Sequence, residues 1–293
     1  MWKRGGPGPT EPATTLARAM GDVGLFGPGT VTWRVSREGV LLAGGGAALI
    51  LQGAHPLVAA GVADHSNYRE DPWGRLYRTL DLTTRVVFGD MRTAEAAARR
   101  IRAAHGRVRG VTAESGGRYP KGTSYHANDP ELLLWVHATL VRTALDVYQR
   151  YVGPLTIAEQ RLYYDEQKTL AELFGVPRER MPDTFAAFNR YFNDTLESDR
   201  IAVTAGLRDV VDATLRPDLP FIARPLVDAL NLTTVGLLPG RLREELGLPW
   251  SPTRERLEEA SRATLRRIIA ALPTLLREFP AARSAERRAR AAA

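Results

Sequence analysis

The sequence predicts an all-α protein built as one large multi-helix domain, and three observations carry that prediction. No segment alternates apolar and polar residues with period two for long enough to make a convincing sheet. Apolar residues instead recur at helical spacing in one segment after another, and no repeat of fixed period divides the chain. The helical segments are bracketed by capping residues such as Thr93, Asp129 and Thr156 and by breakers such as Gly175 and Pro280. With 293 residues, 44% hydrophobic and 25% charged, the chain has an ordinary globular composition and can bury a substantial core.

Taken in order, residues 1–20 read as a flexible N-terminal arm, 21–280 as the helical domain with a buried central helix, and 281–293 as a basic C-terminal tail. GDVGLFGPGTVTWRVS, rich in glycine, is expected to be a loop that packs Phe26 and Trp33 onto the body. The next segment, through residue 62, is helical. Gly44, Gly45 and Gly46 permit close approach by a neighbouring helix or a flat ligand, and Pro56 forces a kink or break just after His55. Gln52, His55, Pro56 and the three glycines argue against a membrane span over 40–62, so no transmembrane segment is expected.

A turn at Asp71–Gly74 leads into a helix carrying Leu76, Leu80, Val86, Val87 and Phe88. Thr93 is expected to cap TAEAAARRIRAAHGRVRG, whose apolar stripe includes Ala94, Ala97, Ala98, Ile101, Ala104, His105 and Val108. Arg109, one turn on, would face the same way as His105 and put a cation beside a neutral ring. Residues 111–128 form a polar, glycine-rich connection in which Tyr119, Lys121, Tyr125 and His126 either line a site or are simply solvated.

The central helix begins at 129–142, DPELLLWVHATLVR. Asn128 or Asp129 can cap it, Pro130 suits its first position, and Glu131 complements the positive end of its dipole. Between Leu132 and Val141 only His137 and Thr139 are polar, so the helix is expected to be buried all round. His137 shares a face with Leu133, Leu134, Leu140 and Val141. Such a histidine stays neutral, and each ring nitrogen left without a partner costs roughly 1–3 kcal/mol. Its partner is either a carbonyl or carboxylate, in a structural role, or a metal or haem iron.

Later segments follow the same logic. A helix opens at Thr156 and ends near Gly175–Pro177, and Phe185, Phe188, Tyr191, Phe192 and Leu196 form the apolar face of the next. From Thr204 short helices are broken by Pro217, Pro220, Pro225 and Pro239, before a long final helix, TRERLEEASRATLRRIIAALPTLLREF, stopped by Pro280.

Composition removes several chemistries. There is no cysteine, which excludes disulfides, thiolate ligands, iron–sulfur clusters and cysteine nucleophiles. The formal charge of +7 sits largely in Lys3, Arg4, Arg283, Arg287, Arg288 and Arg290, and no basic run interleaved with aromatics points to a specific nucleic-acid partner. No secretory signal is expected, and the chain reads as cytoplasmic. HExxH, Glu-x-x-His, G-x-S-x-G and phosphate-loop motifs are absent. His55 and His65, with Asp64 between, remain possible metal ligands, as does a helical haem pocket in which one neutral histidine binds iron.

AHPLVAAGVADHS, HGRVRG, YHANDPELLLWVHATLV, TLAELFGVP and TTVGLLPGRLREELGLPW together resemble the bacterial and fungal family once called domain of unknown function 2236. That family includes the catalytic domain of latex-clearing rubber oxygenase and a fungal oxygenase that cleaves a terpenoid side chain in mycophenolic acid synthesis. The resemblance runs from about residue 20 to about 280. It implies an all-helical fold, haem b with an axial histidine, and oxidation of an apolar substrate, terpenoid- or lipid-like, with dioxygen or peroxide. The matching ligand is His137. Rubber oxygenases hold an arginine, a lysine and a threonine over the iron, and HGRVRG stands in the comparable helix here. The expectation is therefore that His105 and Arg109 are the distal catalytic groups, with no inference of rubber cleavage. His55 and His65 match family motifs and serve either in contact with the haem or in structural hydrogen bonds. A non-catalytic haem-binding or haem-sensing protein, and a haem-free helical binding module, are the alternatives, with oligomeric state open.

Overall fold

The computed structural model describes residues 24–66 and 72–292. The expected arm over 1–20, Asp71 of the expected turn and the side chain of Leu76 lie outside the described residues. The chain is helical apart from one short ribbon among the described residues.

Helix α1 (Val31–Ser36) forms where a loop was expected. Thr30 caps it by accepting the Trp33 N–H at 3.1 Å, and the Glu166 carboxylate accepts the Val31 and Thr32 N–H groups at 3.2 and 2.6 Å. A short helix this close to its own end needs such distant acceptors for its free N–H groups, and no local pattern announces them. Phe26 and Trp33 are buried as expected, with Trp33 meeting Phe88 edge-on at 5.1 Å.

A 3-10 turn over Gly39–Gly44 runs into α2 (Gly45–Gly53). The chain then bends by 109° into α3 (Pro56–His65), with Pro56 in the first turn and His55 at the N-cap. The close approach expected of the glycines is made by other helices on two sides. A Cβ on Gly44 would lie 2.8 Å from Val147 Cγ2, and one on Gly46 would lie 2.6 Å from Thr234 Oγ1. Among the described residues no single helix is long and apolar enough to cross a membrane.

Helix α4 (Pro72–Phe88) contains Gly74 and packs along α5 (Met91–His105). The cap of α5 is Asp90 rather than Thr93. Its carboxylate accepts the Thr93 N–H at 2.6 Å, which puts Thr93 inside the first turn, and the Thr93 hydroxyl together with this N–H holds the Asp90 carboxyl below the usual range. The ribbon follows, with β1 (Arg109–Val111) antiparallel to β2 (Ser124–His126) and Arg109 paired with His126, Gly110 with Tyr125, and Val111 with Ser124.

Helix α6 (Pro130–Tyr151) is the axis of the molecule, 22 residues long and packed against the 3-10 turn, α1, α2 and helices that follow it. Asp129 caps it, its Oδ1 accepting the Glu131 N–H at 2.8 Å. Helix α7 (Ile157–Phe174) starts with a reciprocal Thr156–Glu159 capping box and ends at Gly175, whose φ of 105° suits a residue without Cβ. Helix α8 (Phe185–Glu197) supplies the expected aromatic core, Phe192 stacking on Trp135 at 5.5 Å. Trp135 Nε1 donates to the Leu51 carbonyl at 3.1 Å, so α6 is pinned to α2 on that side.

Helices α9 (Ala205–Leu215), α10 (Arg224–Leu237), α11 (Gly240–Glu245), α12 (Pro252–Ala271), α13 (Thr274–Arg277) and α14 (Pro280–Ala292) complete the domain. Three prolines act differently from expectation. Pro225 and Pro280 begin helices instead of ending them, and Pro273 divides the expected final helix, since proline is at home in a first turn and disruptive further in. The expected basic tail is α14, with Ala282 and Ala285 buried against Phe26, Trp33 and Phe88.

Candidate functional site

His137 lies on α6 at 8% exposure and faces α7. Its ring lies near the backbone of Gln167, which offsets part of the effect of burial, and its Nε2 is buried with no partner among the described residues. A neutral imidazole carries one proton and one lone pair, so an Nε2 with no protein partner is available to an incoming ligand. Burial pushes the ring down to about 4, keeping it neutral at pH 7. A buried, neutral ring with one nitrogen left unpartnered is what a metal-binding imidazole requires.

The helix surface near this ring is not covered everywhere. Between Leu132 and Val141 every residue of α6 is buried except Val136 and Leu140, and Leu140 is 45% exposed. The expectation of a helix buried all round therefore fails at Leu140, three residues and about 60° around the helix from His137. The periodicity of α6 contains no polar residue that marks this opening; only the neighbouring helices leave it there.

The expected pairing of His105 with Arg109 on one helical face does not form. Helix α5 ends at His105, Gly106 caps it, and the Val108 N–H bonds the His105 carbonyl in a turn. Arg109 then starts β1 and is exposed. Extended backbone is favoured by the β-branched residues on either side, Val108, Val111 and Thr112, which outweigh the continuation of the alanine-rich stripe. His105 itself is half-buried, with Nδ1 buried and unpartnered and its pKa lowered by burial.

His55 and His65 stand at opposite ends of α3, about 15 Å apart along its axis. They cannot ligate one ion together. His55, 1% exposed, shares a hydrogen bond between Nε2 and the Tyr119 hydroxyl at 3.2 Å, leaving Nδ1 unpartnered. Burial, then Arg200 and Arg118, push it down to about 4. His65 is exposed and donates from Nε2 to the Arg109 carbonyl at 3.2 Å, tying α3 to β1. Among the described residues no group of three or more His, Asp or Glu side chains could hold a metal ion. A cofactor that brings its own equatorial donors needs only one protein nitrogen, and His137 Nε2 meets that condition.

A concavity lies beside the ribbon. An open groove of about 560 Å³ is lined by Leu57 of α3, Arg109, Tyr125 and His126 of the ribbon, and Asp129 and Leu132 at the start of α6. The Tyr125 hydroxyl donates to Asp64 at 2.5 Å, and burial with this bond pushes the Tyr125 pKa upward. The sequence does not decide between site and solvated loop for Tyr125 and His126, because the alternation Ser124-Tyr125-His126 is too short to identify a strand by period alone.

Residues 33–272 match the family described as ER-bound oxygenase mpaB/B'/Rubber oxygenase, catalytic domain. Two relatives are "Uncharacterized protein Mb2261" of Mycobacterium bovis and "Uncharacterized protein Rv2237" of Mycobacterium tuberculosis. Each is 30% identical over 225 residues, covering 74% of this chain and 84% of the relative. No solved structure matches the chain. A match spanning the domain from α1 through α12 means that the chain belongs to the mpaB and rubber oxygenase catalytic-domain family.

Proposed function

We propose that the chain is a haem b-dependent oxygenase that oxidises or cleaves an apolar, terpenoid- or lipid-like molecule with dioxygen or peroxide, and that His137 is the axial ligand. The observation that carries this reading is the Nε2 of His137, neutral, buried and unpartnered, on the helix that exposes Leu140 three residues on. The Gln167 backbone near the ring is the acceptor that would hold it in the ligating tautomer. Haem iron, when bound, supplies the one-electron and dioxygen chemistry that no side chain here can perform. The partly exposed apolar surface of Val136 and Leu140 accommodates an apolar substrate. His105, with its free Nδ1, serves as a hydrogen-bond or proton-transfer group, while His55 and His65 position the ribbon through Tyr119 and the Arg109 carbonyl.

The test is reconstitution of purified protein with haem. A Soret band that His137→Ala abolishes is expected, together with oxygen consumption in the presence of unsaturated lipids or terpenoids. A Soret band without turnover would leave a haem-binding or sensing protein, and a band that survives His137→Ala would overturn the assignment of the ligand.

A further inference from the structure

We propose that the groove between α3, the β-ribbon and the start of α6 binds an amphipathic carboxylic acid, its carboxylate on Arg109 and His126 and its apolar chain along Leu132, Val136 and Leu140. The position of the chain beside His137 rests on the oxygenase reading; the head-group site does not.

The head-group site follows from the ribbon. Arg109 and His126 are directly paired across the two strands, which puts both side chains on the same ribbon face. Among the described residues the exposed Arg109 guanidinium has no carboxylate partner, whereas Arg118 and Arg200 both pair with Glu131. The His126 Nδ1 accepts the Asn128 N–H at 3.1 Å, so in the neutral ring the proton is on Nε2, a second donor. The carboxylates that border the groove are already engaged. Asp64 takes the Tyr125 hydroxyl, and Asp129 takes the Glu131 N–H at the positive end of α6, whose dipole offsets part of its charge. A guanidinium and an imidazole N–H side by side recognise a planar carboxylate.

The chain path follows from α6. Leu57 and Leu132 make the apolar part of the groove, and the i, i+4, i+8 stripe from Leu132 continues through Val136 to Leu140. Val136 and Leu140 are the residues of this part of α6 that are not buried. At 1.5 Å per residue the stripe spans about 12 Å, roughly the length of a ten-carbon chain, and passes His137 a little beyond halfway. A groove of this volume lies within the range of small-molecule sites.

The experiment is calorimetric titration of the haem-free full-length chain with decanoate and with the uncharged decanamide, so the result does not depend on iron. Decanoate is expected to bind about tenfold or more tightly, the size of a charge-assisted hydrogen bond. Arg109→Ala should erase that preference and Arg109→Lys should keep part of it. Equal binding of acid and amide, no binding of either, or an unaltered preference in Arg109→Ala overturns the head-group site. From hexanoate to decanoate affinity should rise about two- to fourfold per methylene and then level. Leu140→Asp should flatten the upper part of that series, and an unchanged series would overturn the chain path. Failure of the haem titration with the acid preference intact would sink the oxygenase reading alone.

Discussion

Replacing His137 by leucine should stabilise the haem-free protein. The buried, unpartnered Nε2 costs about 1–3 kcal/mol, because it lost water on folding and gained nothing in return. The substitution forfeits the attraction of the ring for the Gln167 carbonyl, worth at most about 1 kcal/mol. That carbonyl is not left bare, because it sits inside α7 and also accepts within the helix. Leucine is similar in size and apolar, and its neighbours on this side include Leu133, Leu134, Ala171 and Val176, so little packing strain is expected. The net is a gain of about 1 kcal/mol, read as a higher urea midpoint at unchanged slope, accompanied by loss of haem binding. A loss of 2 kcal/mol or more would refute the reasoning, since it would mean that the histidine is a fully engaged part of the core.

The haem-free protein should lose stability as pH falls from 6.5 towards 4, partly through His55. Its folded pKa of about 4 lies below its ordinary 6.5, so the unfolded chain binds the proton first in that window; the contribution is complete above 6.5 and is lost below it. A His55→Gln variant should show a slope of stability against pH smaller by about 1 kcal/mol per unit between those values, and an identical slope would contradict the burial argument. Arg277→Ala should destabilise the protein by roughly 3 kcal/mol in denaturant unfolding. It strips the 1%-exposed Glu38 carboxylate of a two-pronged partner at 2.7 and 2.9 Å, and a cost below about 1 kcal/mol would show that Arg37, 3.9 Å away, takes over.

Much of this protein is decided by local chemistry that can be read along the chain. The all-helical class, the cap at Asp129, the capping box at Thr156, the stop at Gly175 and the bend before Pro56 each depend on residues within one turn of the feature they set. His137 was legible for the same reason, as a polar ring in an apolar helix. The family was legible through motifs spread along most of the domain. Tertiary structure alone decided the rest. Glu166 completes a helix 135 residues away in sequence, α14 is held down by Phe26, Trp33 and Phe88, and Leu140 is uncovered because no neighbour reaches it. The separation of Arg109 from His105 belongs there too. Its segment suits either helix or strand, and the choice goes to the ribbon because β2, fifteen residues on, offers the partners that a continued helix would forgo.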